Sequence, residues 1–243
     1  AQAAGVPLRV WSQMNYGEDL VFGPRGGGIY YWDSSAGTGT RATNLALSSG
    51  ASYVPVVQNV LLVSDSTRIV IAYGTNEIDS TTLDPLLIRW SDSEDALSWY
   101  PEITNLAGSY RLSSGSLIYA AMQVRQEILV WTDNALYSQQ FLGAPEVYGF
   151  NILASNISCA GPNCVAVAAG VTYWMGIDKF YKYDGTVATL RCDLRSYVFD
   201  DLDHDQGYQI FAATNEGFNE VWWFYCTEGS TTVDSYVVYN YAE

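Results

Sequence analysis

Apolar and polar positions change over in short runs through most of the chain, most clearly across residues 165–190. Four runs of β-branched and aromatic residues follow one another there, at 165–169, 171–175, 179–183 and 186–190. Gly170, the Gly176-Ile177-Asp178 triplet and Asp184-Gly185 separate them. Runs of this length between Gly and Asp-Gly turns predict an antiparallel meander and leave no room for a helix of ordinary length. One meander cannot bury both of its faces, so the unit is expected to recur.

The second and third runs of this unit form a hairpin whose pattern recurs along the chain. Residues 19–22 are expected to pair with 29–32, 60–63 with 68–73, 127–131 with 135–140, and 220–225 with 235–239. Turn chemistry separates each pair: Gly-Pro-Arg-Gly-Gly-Gly at 23–28, Ser-Asp-Ser at 64–66, Thr-Asp-Asn at 132–134 and Thr-Glu-Gly-Ser at 227–230. Measured at Leu20, Leu61, Ile128, Thr172 and Val221, the steps are about 41, 67, 44 and 49 residues, against about 40–50 for one propeller blade. The long second step reads as an insertion carrying an extra strand-like run at 85–90. The expected fold is therefore all-β, a β-propeller of five four-stranded antiparallel blades, or six if the insertion is itself a blade. Val130, Trp131, Tyr173, Trp174, Val221 and Trp222 are expected in its central strands. A further run at 8–11 is expected to complete the blade containing 220–239, unless residues beyond 243 close it. The small polar stretches 37–44 and 48–52 suit connecting loops.

Composition sharpens this picture. With 243 residues, 49% hydrophobic and 14% aromatic, the chain can bury a full core, and residues 1–243 are expected to be a single domain. No run approaches the roughly 18 apolar residues of a membrane helix, and no signal peptide opens the chain. Residues 1–5 read as interior sequence, and the strand pattern at 239–243 is not closed by a turn, so a segment of a longer chain is expected. Net charge is −15, with two lysines, Lys179 and Lys182, and arginines scattered singly from Arg9 to Arg195. This is the opposite of a phosphate-neutralising surface. Such acidity keeps a Tyr-rich β-protein soluble, and it would also repel DNA.

Candidate chemistry is sparse. Cys159 and Cys164 flank a four-residue turn and could form a local disulfide, half of a metal site, or plain buried thiols; Cys192 and Cys226 are isolated. Asp201, Asp203 and Asp205 alternate like the first ligands of a calcium loop. Against that, the glycine falls one place late at Gly207, and Ala212 stands where the bidentate Glu belongs. An acidic loop or short helical turn is the plainer reading of 198–207. Ser93, Asp95 and Trp99 resemble an Asp-box turn with Leu97 in place of its glycine, a fold-stabilising feature. One histidine, His204, and no nucleophile motif leave no basis for an enzyme or a cofactor.

Several motifs carry a family resemblance. Trp11-Ser-Gln-Met-Asn-Tyr-Gly-Glu-Asp-Leu20 with Gly28-Ile-Tyr-Tyr-Trp-Asp33 resembles the opening of a bacteriophage virion propeller. The stretches 88–92, 131–137, 173–181, 220–225 and 234–241 resemble its later blades. The family is the tail nozzle, or tail hub (tail tubular protein B-like), of short-tailed phages. The resemblance covers nearly the whole chain and its motifs are structural. It implies a virion location and a homo-oligomeric, hexameric ring below the portal and adaptor. It further implies contact with other tail proteins, DNA passing through without specific binding, and a host surface as a further partner. Glu94-Asp95, Asp200-Asp201 and Asp203-Asp205 are then the expected carboxylates facing the channel. The alternative expectation is a propeller that recognises a glycan or protein through loop aromatics such as Trp99, Tyr100, Tyr110 and Tyr148.

Overall fold

The computed structural model describes residues 8–242. Among these, nineteen strands form five antiparallel sheets, each a meander whose sequence neighbours are also spatial neighbours. The first sheet holds β1 (Trp11–Tyr16), β2 (Asp19–Pro24), β3 (Tyr30–Trp32) and β4 (Thr43–Asn44). The second holds β5 (Gln58–Val63), β6 (Val70–Asn76), β7 (Leu83–Trp90) and β8 (Gly108–Arg111). The third holds β9 (Ile118–Gln123), β10 (Ile128–Thr132), β11 (Ala135–Gly143) and β12 (Val147–Ser155). The fourth holds β13 (Val165–Ala168), β14 (Val171–Met175), β15 (Phe180–Tyr183) and β16 (Val187–Thr189). The last has three strands, β17 (Phe211–Asn215), β18 (Glu220–Tyr225) and β19 (Ser235–Asn240). This is a five-bladed β-propeller, as the repeat predicts.

Alternation along the strands explains how the blades stack. In β18, Val221, Trp223 and Tyr225 are buried while Glu220, Trp222 and Phe224 are half-buried, as the two-residue period of a strand requires. Three apolar clusters join consecutive sheets. Val21 and Ile29 meet Leu61, Val70 and Ala72 between the first two sheets. Tyr73 and Ile88 meet Ile128 and Val130 between the second and third. Trp131, Trp174, Phe180 and Trp223 lie in a cluster running through the last three. Val130, Trp131, Tyr173, Trp174 and Val221 are all buried, as expected of central strands, whereas Trp222 is only half covered.

Two assignments in the second blade need correction. Residues 60–63 and 68–73 do pair, with Val60 opposite Tyr73 and Leu61 opposite Ala72. They are, however, the first two strands of their blade, while the other four hairpins are second and third strands. The run at 85–90 belongs to β7, the third strand of the same sheet, so it is neither an insertion nor a sixth blade. Measured at Ile71 instead of Leu61, the steps from Leu20 to Val221 become about 51, 57, 44 and 49 residues. β6 is buried along its whole length, so its continuous apolar run carries no alternation to reveal its place in the blade.

The run at 8–11 does not complete the last blade. Trp11 opens β1, whose register with β2 runs from Trp11 opposite Pro24 to Tyr16 opposite Asp19. A two-residue turn with Gly17 at φ 68° joins them, and so short a loop closes far more cheaply than pairing with a strand at the other end of the chain. Thr43–Asn44 is likewise a fourth strand and not loop. Residues 198–207 take the helical reading: a short helix at Arg195–Phe199 and a 3-10 turn at His204–Gln209. The opening stretch 1–5 and Glu243 fall outside the described residues.

Candidate functional site

The calcium candidates do not converge. Asp203 caps the 3-10 turn, its Oδ1 accepting from the Asp205 amide at 2.9 Å, and the Asp201 carbonyl accepts from the Glu228 amide at 2.7 Å. Among the described residues no group of three or more His, Cys, Asp or Glu side chains is placed to hold a metal ion. The Asp-box-like turn is structural: Asp95 Oδ1 accepts from the Leu97 amide at 2.9 Å, and fully buried Trp99 donates to the Ala96 carbonyl at 2.8 Å.

A hub that sequence reasoning missed is built around Arg25. Gly23 lets the end of β2 approach β5, since a Cβ there would lie 2.5 Å from the Gly28 carbonyl and 2.7 Å from the side-chain Nε2 of Gln58. Gln58 in turn donates to the Pro24 carbonyl at 3.0 Å. This places the Arg25 guanidinium inward, where it donates to the carbonyls of Ile118 at 3.0 Å and Tyr119 at 3.2 Å in the third sheet. A longer bond of 3.5 Å reaches the Asn59 carbonyl in the second sheet. Tyr208, in the turn that leads to the fifth sheet, lies 5.5 Å below the guanidinium, within range of a cation–π contact. Burial lowers the Arg25 pKa. The signal available in sequence was a lone Arg inside a glycine-rich turn.

Beside the hub lies the loop between the third and fourth sheets. The Trp223 indole donates to the Cys164 carbonyl at 2.9 Å, and the Ala160 amide to the Met175 carbonyl at 2.9 Å. Asn163 bridges to Phe211, and the Ala212 amide donates to the Asn163 carbonyl at 2.8 Å. This loop therefore stitches the fourth sheet to the fifth. The two buried thiols it carries, Cys159 and Cys164, place their Sγ atoms 2.9 Å apart, while Cys192 and Cys226 are also free.

A cleft of about 400 Å³ opens between the third and fourth sheets beside Arg125, Glu127, Gln140, Thr172 and Tyr183. Its carboxylate is fully engaged: Glu127 accepts from Ser138 Oγ, from the Tyr183 hydroxyl at 2.7 Å and from Gln140 at 3.4 Å. Burial, then the bond to Glu127, pushes Tyr183 up to about 12. Such a group buttresses two blades and offers neither a free base nor an ionised nucleophile at neutral pH.

Rows of partly exposed aromatic residues lie on the first and the fifth sheets. Among the described residues, no apolar cluster contains residues of both the first and the fifth sheet. On the first sheet Trp11, 54% exposed, packs beside Phe22, which stacks on Tyr30 at 5.8 Å. On the fifth, Phe211 stacks on Phe224 at 4.6 Å and Trp222 on Tyr236 at 5.0 Å, with Tyr236 60% exposed. Both aromatic rows lie at the same end of their sheets, where the first strand starts and the second finishes.

The acidic loops lie apart. Each sheet is an up-and-down meander, so the loop between third and fourth strands sits at the end opposite the connection between blades. Glu94-Asp95 occupies the former kind of loop and Asp200 to Asp205 the latter. Glu94 also has Arg68 at 3.4 Å, so that loop is not free of basic partners.

No family model and no curated protein matches this chain. Solved structures similar to it include KlHsv2 with loop 6CD replaced by a Gly-Ser linker, at 10% identity and TM-score 0.41, covering 88% of this chain and 62% of that one. Another is an S. cerevisiae Dbp5 complex with Nup159, Gle1, IP6 and ADP, at 8% identity and TM-score 0.47, covering 94% of this chain and 59% of that one. The computationally designed Ika8 protein matches at 14% identity and TM-score 0.41, with coverages of 88% and 67%. The chain thus spans less than two thirds of the first two.

Proposed function

We propose that this chain is a structural propeller that assembles with copies of itself into a ring, as the tail nozzle or hub of a short-tailed phage virion. The observation that supports it best is the pair of bare aromatic faces at opposite ends of the blade series. Two different patches on one molecule make a heterologous contact, the kind that closes into rings. In this reading the fifth sheet of one copy packs on the first sheet of the next, bringing the Phe211-Phe224-Tyr236 row against Trp11, Phe22 and Tyr30. The resemblance of the blade motifs to tail nozzle proteins supplies the biological setting, including portal, adaptor and ejected DNA. The reading asks for no reacting group and no cofactor.

Negative-stain microscopy and mass photometry of the purified chain, alone and with a portal–adaptor complex, test this. Rings are expected, and Trp11→Glu or Tyr236→Glu should reduce them to monomers of unchanged thermal midpoint. A protein that stays monomeric beside the portal complex rejects the nozzle reading, whereas rings surviving both substitutions place the contact elsewhere. A recognition module remains the second reading, favoured by Tyr53 and Tyr100, 47% and 42% exposed with ring centres 5.0 Å apart. Trp99 and Tyr148 cannot contribute to it, because both are buried.

A further inference from the structure

Cys159 and Cys164 are more than two buried thiols. The turn between them is tight, with the Gly161 carbonyl accepting from the Cys164 amide at 3.4 Å and from Cys159 Sγ at 3.2 Å. It folds the two side chains onto each other until the sulfurs stand 2.9 Å apart, with about 0.9 Å left to the bond length of a disulfide. Around this pair the packing is unusually dense. A Cβ on Gly161 would meet the Gly207 carbonyl at 2.0 Å, and one on Gly207 would meet the Ala160 carbonyl at 2.5 Å. Residue 208, next along, is the tyrosine beneath Arg25.

We infer that Cys159 and Cys164 form a redox clamp, a dithiol that closes to a disulfide and locks the hub. The oxidant is a low-molecular-weight disulfide of the glutathione class. One thiolate attacks it and releases a small thiol, and the second thiolate then displaces the other small thiol. The protein loses two protons and two electrons, one Sγ–Sγ bond forms, and the acceptor's S–S bond takes them up to become two thiols. Both cysteines are buried, so exchange occurs when the loop opens locally or before it is packed during folding. Once closed, the bond fixes the loop whose carbonyls hold Trp223 and Ala212 and whose backbone abuts Gly207. The clamp thus acts on the joint between the fourth and fifth blades.

The test incubates the full chain with oxidised glutathione or with dithiothreitol, then denatures, alkylates and maps peptides by mass spectrometry. After oxidation the segment holding Cys159 and Cys164 should lack two hydrogens and carry no alkyl group, while Cys192 and Cys226 are both alkylated. The oxidised protein should melt several degrees above the reduced one, and Cys164→Ser and Cys159→Ser should each abolish that difference. Alkylation of all four thiols after oxidation overturns the proposal. So does a bond that forms without raising the midpoint, or pairing through Cys192 or Cys226.

Discussion

Replacing Arg25 by Met tests whether the hub holds the blades together. Methionine keeps an unbranched apolar stem and removes the guanidinium, so the packing of the stem is largely retained. Two well-made bonds disappear, to Ile118 at 3.0 Å and Tyr119 at 3.2 Å; the 3.5 Å approach to Asn59 is too long to count for much. Bonds to a charged donor contribute about 1.5–3 kcal/mol each, and the contact with Tyr208 adds about 0.5–1 kcal/mol. Opposing them is the cost of burying the cation, which shows in its lowered pKa and is relieved in the variant. The expected net loss is about 2–4 kcal/mol. For a chain of this size that is a fall in thermal midpoint of about 5–15 °C. Arg25→Lys should fall in between, because one ammonium cannot match the guanidinium fork on two carbonyls. Urea unfolding followed by Trp fluorescence and by circular dichroism measures both. A Met variant within about 0.5 kcal/mol of the parent would refute the reasoning, and would mean that water replaces the guanidinium at little cost.

Other outcomes follow from the same geometry. Trp131→Ala and Trp174→Ala, both at fully buried sites, should each cost about 3–5 kcal/mol, and half-covered Trp222→Ala markedly less; equal losses in urea titrations would contradict the blade assignment. Acid should destabilise the fold through Asp19, Asp133 and Asp234, whose carboxyls are all held below the ordinary range. Asp19 is lowered by the Tyr31 hydroxyl, and Asp234 by the Thr227 amide and hydroxyl. Burial raises Asp133, but the Ser116 hydroxyl and amide outweigh it. Depressed carboxyl pKa values add stability that is complete above about pH 4 and lost as pH falls through the folded values, so Asp133→Asn should flatten part of the acid limb of a melting-versus-pH curve. Chelation should leave the thermal midpoint unchanged; a drop of many degrees on adding EDTA would bring Asp201, Asp203 and Asp205 back as a calcium site.

The blades were legible because their evidence is local. The Gly176-Ile177-Asp178 turn between the runs 171–175 and 179–183 specifies a hairpin that the structure forms with Thr172 opposite Tyr183, and Asp184-Gly185 specifies the next, with Tyr183 opposite Val187. Phase within the repeat was not legible at the second blade, where both β5 and β6 are almost wholly buried and present one apolar run after another. The Arg25 hub was invisible for a different reason. Its acceptors are main-chain carbonyls, 34 to 94 residues away, and any residue type supplies a carbonyl. The stacked rows on the end faces could be seen as aromatic residues in strands. Which face they occupy depends on register, and whether another sheet covers that face is set by the whole chain.

That each inter-blade core joins only sheets that follow one another in sequence has a kinetic consequence. Such a molecule is energetically close to a linear array, in which a blade needs its predecessor and not the far terminus. Blades can then dock in the order in which they leave the ribosome, each template already in place. One tie between distant parts of the chain is Arg25 over Tyr208, polar and small beside the apolar seams. Loss of the fifth sheet by truncation would bare the Phe180 and Tyr173 side of the fourth, which packs on Trp223 and Tyr239, yet leave the seams among the first three sheets intact. Unfolding would accordingly begin at the C-terminal blade and travel inward, and hydrogen exchange would show protection falling in steps towards that end.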